Sequence, residues 1–182
     1  MTKSSFVAMA LGMGLVSGSA AAVDGVSITG GTGATNSAGN GTRLARIAVQ
    51  WDWNKSWFRG DKWHVGGYWD AGVGYWKRDA APGENDNLFE IGLTPVFRLQ
   101  QNDLKGFYLE GGIGAHFLSD TSLGDKNFGS SFQFGSHLGL GYRFGAKRAF
   151  DIGYAYQHLS NAGIKQPNDG IDFHEIRLQY HF

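Results

Sequence analysis

Hydrophobic and polar residues alternate along most of this chain. In residues 106–118, for example, Phe107 and Leu109 share one side of the segment, while Tyr108 and Glu110 share the other. Because successive side chains of a β-strand point to opposite faces, this pattern predicts strands with one apolar and one polar face. The alternation predicts eight such strands, over residues 23–32, 42–53, 62–76, 88–99, 106–118, 129–144, 148–160 and 172–182.

The length of these segments indicates a membrane barrel. Each has ten or more residues, whereas strands of soluble proteins usually have about five or six. A tilted strand crosses a bilayer in about 9–11 residues. Alternation alone also fits a soluble barrel with an apolar interior, but long and short connections alternate as they do in outer-membrane barrels. The sequence therefore predicts an all-β fold, an eight-stranded antiparallel up-and-down transmembrane β-barrel with its polar faces inside.

Composition removes several classes of function. The 16 Lys and Arg residues balance the 16 Asp and Glu residues, so there is no basic field to attract nucleic acid. The chain has no Cys, which excludes a disulfide scaffold, a thiol nucleophile and a zinc-finger site. No other ligand cluster suggests a metal or a cofactor. No run of 18 apolar residues follows the N-terminus, which excludes a helical membrane protein.

The first 22 residues have the features of a secretory signal peptide. Lys3 supplies a positive charge, an apolar stretch runs from Phe6 to Val16, and Ala20 and Ala22 fit a small-residue cleavage site. We expect this segment to be removed on export. Residues 23–182 would then form one outer-membrane β-barrel domain.

Three residues near the end of the chain form a candidate catalytic group. His158 and Ser160 are two residues apart at the end of the seventh predicted strand, so both share its outward, apolar face. Asp172 begins the eighth strand with the same outward parity. A serine, a histidine and a carboxylate at similar height meet the requirement for a catalytic triad. Placing a polar side chain against hydrocarbon costs free energy, so three of them in one place indicate a function.

Neighbouring residues are assigned other roles. Glu175 has the opposite parity and is predicted to face the barrel interior, paired with Arg177. His174 has the outward parity and is interpreted as an interface residue. A His-x-Ser pair by itself also fits a polar rim on a barrel without catalytic activity.

Residues 158–171, HLSNAGIKQPNDGI, resemble the C-terminal signature of the outer-membrane lipid A 3-O-deacylases, the PagL family. The segments WDWNKSW at 51–57, GYWDAG at 67–72 and GDKNFGSS at 124–131 also resemble this family. The resemblance implies that residues 23–182 form an esterase domain in the bacterial outer membrane, with its active site toward the outer leaflet. Its substrate would be lipid A, the lipid part of lipopolysaccharide, and other outer-membrane lipids would surround the barrel. The reaction would need no cofactor. Whether the protein forms a homodimer is left open.

The resemblance also implies roles for individual residues. His158 and Ser160 match the catalytic histidine and serine of the family, and Asn161 and Gly163 match its oxyanion donors. The acidic member is commonly Glu in this family, so Asp172 is a departure that shortens the side chain by one methylene. Two alternatives stay open: a structural or adhesive barrel, and another lipid enzyme such as a phospholipase or an acyltransferase.

Overall fold

The computed structural model describes residues 22–34 and 41–182. The predicted signal peptide lies outside the described residues, apart from its last residue. In the described part no helix is long and apolar enough to cross a membrane. In chain order the strands are β1 (Gly25–Gly33), β2 (Thr42–Asp52), β3 (Trp63–Arg78), β4 (Asn87–Gln101), β5 (Gly106–Leu118), β6 (Ser122–Leu123), β7 (Lys126–Asn127), β8 (Phe132–Phe144), β9 (Phe150–Ser160) and β10 (Ile171–His181).

The eight long strands close into one barrel. Each pairs antiparallel with its neighbours, and β1 closes the barrel by pairing with β10, in the order β1-β10-β9-β8-β5-β4-β3-β2. The predicted all-β up-and-down barrel is confirmed, and the strand bounds lie within three residues of the predicted ones. The short β6–β7 hairpin was not predicted. It forms within the long connection between β5 and β8, where no alternating pattern marks it.

The alternation along each strand separates the two surfaces of the barrel wall. On β5, Phe107 is 65% exposed, while the next residue, Tyr108, is 2% exposed. The outer surface is thus apolar along the membrane-spanning strands, and polar side chains are buried inside. An apolar outer band and a polar interior are typical of outer-membrane barrels.

Charged side chains fill the interior around Arg98. Its Nη2 lies 2.8 Å from Glu110 Oε2, and its Nη1 lies 2.9 Å from Asp151 Oδ2. The guanidinium also packs between the rings of Tyr68 and Tyr108, at 4.9 and 3.8 Å from their centroids. A small eight-stranded barrel has room inside for side chains only. Paired charges and aromatic rings therefore fill this part of the interior. A separate cluster of buried apolar residues, which includes Leu44, Leu159 and Ile171, fills another part.

Glu175 faces the interior, as predicted, but its predicted pairing with Arg177 is wrong. Arg177 Nη2 lies 2.6 Å from Glu110 Oε1 on β5 and 3.3 Å from the Tyr108 hydroxyl. Glu175 Oε1 is buried and makes no hydrogen bond within the described residues. Strand parity indicates which side of the wall a residue faces, but it does not determine which strand supplies its partner.

We expect Arg98→Met to destabilise the barrel strongly. The substitution leaves the buried carboxylates of Glu110 and Asp151 without their shared cation, and breaking a buried pair typically costs about 3–5 kcal/mol. The loss of stability is measured by thermal unfolding in detergent, with the fraction of folded barrel read from its heat-modifiable electrophoretic mobility. Arg43→Met is the control, because its ion pair with Asp79 is exposed and 3.8 Å long. Equal losses in the two variants would contradict the role of Arg98.

Candidate active site

The candidate site lies on the β9–β10 hairpin, at the end of the barrel opposite the chain termini. His158 and Asp172 are directly paired across the two strands, and His158 Nδ1 lies 2.6 Å from Asp172 Oδ1. The His158 side chain is 47% exposed and that of Asp172 17% exposed, both on the outer surface of the wall. A carboxylate that holds Nδ1 of an imidazole leaves Nε2 as the acceptor for a hydroxyl proton.

Ser160 is the last residue of β9 and shares the outward face of His158. Both side chains pack around Gly170, which precedes β10. A Cβ placed on Gly170 would lie 3.3 Å from His158 Cε1 and 3.6 Å from Ser160 Cβ. Within the described residues, no hydrogen bond joins Ser160 to His158. The hydrogen bond between the serine and the histidine of a catalytic triad is often long in a free enzyme and shortens when substrate binds.

Gly170 therefore sets the space that the histidine and the serine share. Its φ of +60° lies in the left-handed region, and a Cβ would also lie 3.2 Å from the Leu159 carbonyl oxygen. Both observations favour glycine at this position.

We expect Gly170→Ala to lower turnover by about 10- to 100-fold, since displacing a catalytic group by about 1 Å can cost about 100-fold. The added methyl group would push against His158 and the Leu159 carbonyl. Gly83→Ala is the matched control, because Gly83 also has a positive φ, +91°, but no heavy atom lies within 4 Å of its Cβ position. Folding of both variants is first checked by heat-modifiable electrophoretic mobility, and their steady-state turnover is then measured. Gly170→Ala adds both crowding and backbone strain, whereas Gly83→Ala adds backbone strain alone.

Asn161, predicted as an oxyanion donor, makes hydrogen bonds that hold the β9–β10 loop. Its side chain is buried, and Nδ2 donates to the carbonyl oxygens of Phe128 at 2.8 Å and Lys165 at 2.7 Å. Its backbone amide donates to Asn168 Oδ1 at 3.0 Å. All these donors already have acceptors, so Asn161 joins the β9–β10 loop to the β5–β8 connection.

Gly163, the other predicted oxyanion donor, differs from Asn161 in its surroundings and in its backbone amide. Its φ is +78°, and no heavy atom lies within 4 Å of the position that a Cβ would occupy. In the part of the chain that the structure describes, its amide has no hydrogen-bond acceptor. The Gly163 amide thus differs from the Asn161 donors, which are already engaged.

A groove on the outer wall begins at His158 and was not found from the sequence. Its volume is about 670 Å³. Small outward residues on three strands, Pro95, Gly111 and Ser136, form its floor, and Ile113 and Leu138 rise beside them. Each small residue is visible in the sequence, but only the strand register brings them together. An apolar groove of this size, open to the lipid, can hold an acyl chain.

Comparison with known proteins agrees with this geometry. The model of the family described as "Lipid A 3-O-deacylase (PagL)" matches residues 43–181. A lipid A deacylase PagL of Pseudomonas aeruginosa is 36% identical over 151 residues, which cover 82% of each chain. A lipid A deacylase PagL of Bordetella bronchiseptica is 35% identical over 153 residues, which cover 79% of this chain and 80% of the relative.

Solved structures agree as well. A crystal structure of the outer-membrane enzyme PagL superimposes with a TM-score of 0.75 at 32% identity, over 87% of this chain and 99% of that one. Neisserial surface protein A superimposes with a TM-score of 0.50 at 15% identity, over 87% of this chain and 94% of that one. The second likeness concerns the fold alone.

Proposed function

The chain belongs to the lipid A 3-O-deacylase (PagL) family, and on this premise we propose that it hydrolyses the ester-linked acyl chain at position 3 of lipid A. It is an ester hydrolase of the bacterial outer membrane. The observation that carries the proposal is the His158–Asp172 pair at 2.6 Å, beside Ser160 on the outer wall of the barrel.

The proposed reaction begins when Ser160 Oγ attacks the ester carbonyl carbon. His158 Nε2 accepts the serine proton and then donates it to the sugar oxygen that leaves. A water molecule, deprotonated by the same nitrogen, then attacks the carbonyl carbon of the acyl-enzyme. His158 returns this proton to Ser160 Oγ as the ester bond breaks, and the fatty acid is released. Asp172 keeps the proton of neutral His158 on Nδ1 and stabilises the imidazolium that forms.

The negative oxygen of each tetrahedral intermediate needs hydrogen-bond donors. We assign one of these to the Gly163 backbone amide, because it has no other acceptor among the described residues. One such donor is worth about 3–4 kcal/mol in known hydrolases. Asn161 keeps the loop in shape through its hydrogen bonds to Phe128 and Lys165.

The groove supports a substrate that arrives sideways from the membrane. In the proposed complex the scissile acyl chain lies along Gly111 and Ser136, with its carbonyl at the His158 end of the groove. The sugar stays at the level of the lipid headgroups, beside the β9–β10 loop. Because the chain moves from lipid into another apolar environment, binding requires little change in the solvation of its hydrocarbon.

A single assay tests this proposal against the alternatives. The purified barrel is incubated in detergent with lipid A and, separately, with phospholipid, and the products are identified by mass spectrometry. The proposal expects loss of one acyl chain from position 3 of lipid A. Cleaved phospholipid, or lipid A that gains a chain, would instead indicate another lipid enzyme. No change in either lipid would indicate a structural or adhesive barrel.

A further inference from the structure

His174 is a second polar residue on the lipid-facing wall, close to the candidate active site. It shares β10 and its outward face with Asp172, two residues closer to the middle of the barrel wall. At about 3.3 Å per residue, the two residues are about 7 Å apart along the strand. Ionisable residues at membrane depth are costly and are usually functional. The proposed mechanism assigns no role to His174.

Two tyrosines on β9 hold the His174 ring. The Tyr154 hydroxyl lies 2.6 Å from His174 Nδ1, and the two rings are stacked with centroids 6.0 Å apart. Tyr156, the cross-strand partner of His174, packs edge-on with its centroid 5.3 Å away. The imidazole is therefore held in a defined orientation on the outer surface.

The hydrogen bond to Tyr154 determines which nitrogen of a neutral His174 carries the proton. If Nδ1 donated to the tyrosine, the hydroxyl hydrogen would face lipid without an acceptor in the described residues. When Tyr154 donates to Nδ1, its hydrogen is satisfied and the imidazole proton lies on Nε2. The result is an N–H donor on the membrane side of the wall, with no protein acceptor in the described part of the chain.

Tyr156 separates this donor from the acyl groove. The groove is bounded by Tyr156 and His158 on the β9 side, while His174 lies beyond Tyr156 on β10. The scissile chain of the proposed substrate would thus lie on one side of Tyr156, with His174 on the other. Lipid A carries several acyl chains on one sugar backbone, so in the proposed complex a neighbouring chain of the same molecule would lie on the His174 side of Tyr156.

We propose that His174 Nε2–H binds an oxygen at the head of this second acyl chain, either the carbonyl of its linkage or a chain hydroxyl. This inference rests on the function proposed above. It makes His174 a specificity-determining residue, which selects lipids with two acyl chains side by side. A neutral hydrogen bond of this kind contributes about 0.5–1.5 kcal/mol, or about 2- to 12-fold in kcat/KM.

Three synthetic sugar lipids test the proposal. All carry the same ester-linked chain. Their neighbouring chains, of equal length, are joined by an amide, by an alkyl linkage without a carbonyl, or by that alkyl linkage with a hydroxyl on the chain. We expect the wild-type protein to prefer the amide or the hydroxyl lipid about 2- to 12-fold over the alkyl lipid in kcat/KM. Whichever lipid is preferred identifies the oxygen that is bound.

Two variants complete the test. His174→Phe keeps an aromatic ring at this position and should abolish the preference among the three lipids. Tyr180→Phe, near the other end of β10, should keep the full preference. Equal losses on all three lipids would show a structural role, and an unchanged preference would show no role; either result overturns the inference. If the wild-type protein cleaves none of the lipids, the proposed function fails and the inference fails with it.

Discussion

Ser160→Ala is expected to lower turnover of lipid A by about 10⁴-fold or more, the loss seen when the nucleophile of a serine hydrolase is removed. In the proposed mechanism this side chain forms the acyl-enzyme, so its removal leaves no nucleophile on β9 beside His158. His158→Ala should cause a similar loss, because the serine then has no base. Release of fatty acid from lipid A, measured by mass spectrometry over time, gives the turnover.

A loss of turnover in Ser160→Ala or His158→Ala reports on catalysis only if the variant still folds. Both residues lie on the outer wall and not in the packed interior, so both variants should keep the heat-modifiable mobility of the folded barrel. Ser56→Ala is the matched control, because Ser56 is an exposed serine in the β2–β3 turn at the opposite end of the barrel. If either active-site variant kept near-normal turnover, the nucleophile and base would be wrongly assigned.

Asp172→Asn should lower turnover by about 10³- to 10⁴-fold, comparable to the loss for the same change in a serine protease. A carboxylate accepts the Nδ1–H of His158, but an amide can instead donate to Nδ1. The proton of the imidazole then moves to Nε2, which can no longer accept a proton from Ser160. Asp172→Glu should retain much of the activity, because the commoner acid of the family is restored.

The variant Glu175→Gln tests whether Asp172 or Glu175 is the carboxylate that acts with His158. Glu175 is buried inside the barrel and makes no hydrogen bond through Oε1, so its replacement should change thermal stability and leave turnover near normal. Steady-state turnover and thermal unfolding of all three variants are measured together. An inactive but well-folded Glu175→Gln variant beside an active Asp172→Asn variant would contradict the assignment of Asp172.

Much of the fold was predictable because it depends on a local signal. The side-chain period of a strand is two residues, so each segment indicates its own apolar face and its own length. Length and apolar face together predicted a closed membrane barrel. The heights of His158 and Asp172 were predictable for the same reason, since a hairpin aligns residues that are close along the chain. The structure pairs these two residues directly across β9 and β10.

The contacts between distant segments were decided by the tertiary structure. The side chain of Asn161 donates to the Phe128 carbonyl, 33 residues earlier in the chain, which no pattern near Asn161 indicates. The acyl groove is likewise assembled from Pro95, Gly111 and Ser136, each on a different strand. These features depend on the register between strands, which single segments do not encode.

Arg177 illustrates the same limit inside the barrel. The alternation along β10 correctly predicted that its side chain and that of Glu175 face inward, and pairing between the two was the local expectation. In the closed barrel, Arg177 instead reaches Glu110 on β5, 67 residues away in the chain. Sequence alternation determines which residues enter the interior. Closure of the barrel brings distant strands face to face across a narrow space, and that geometry decides which charges pair.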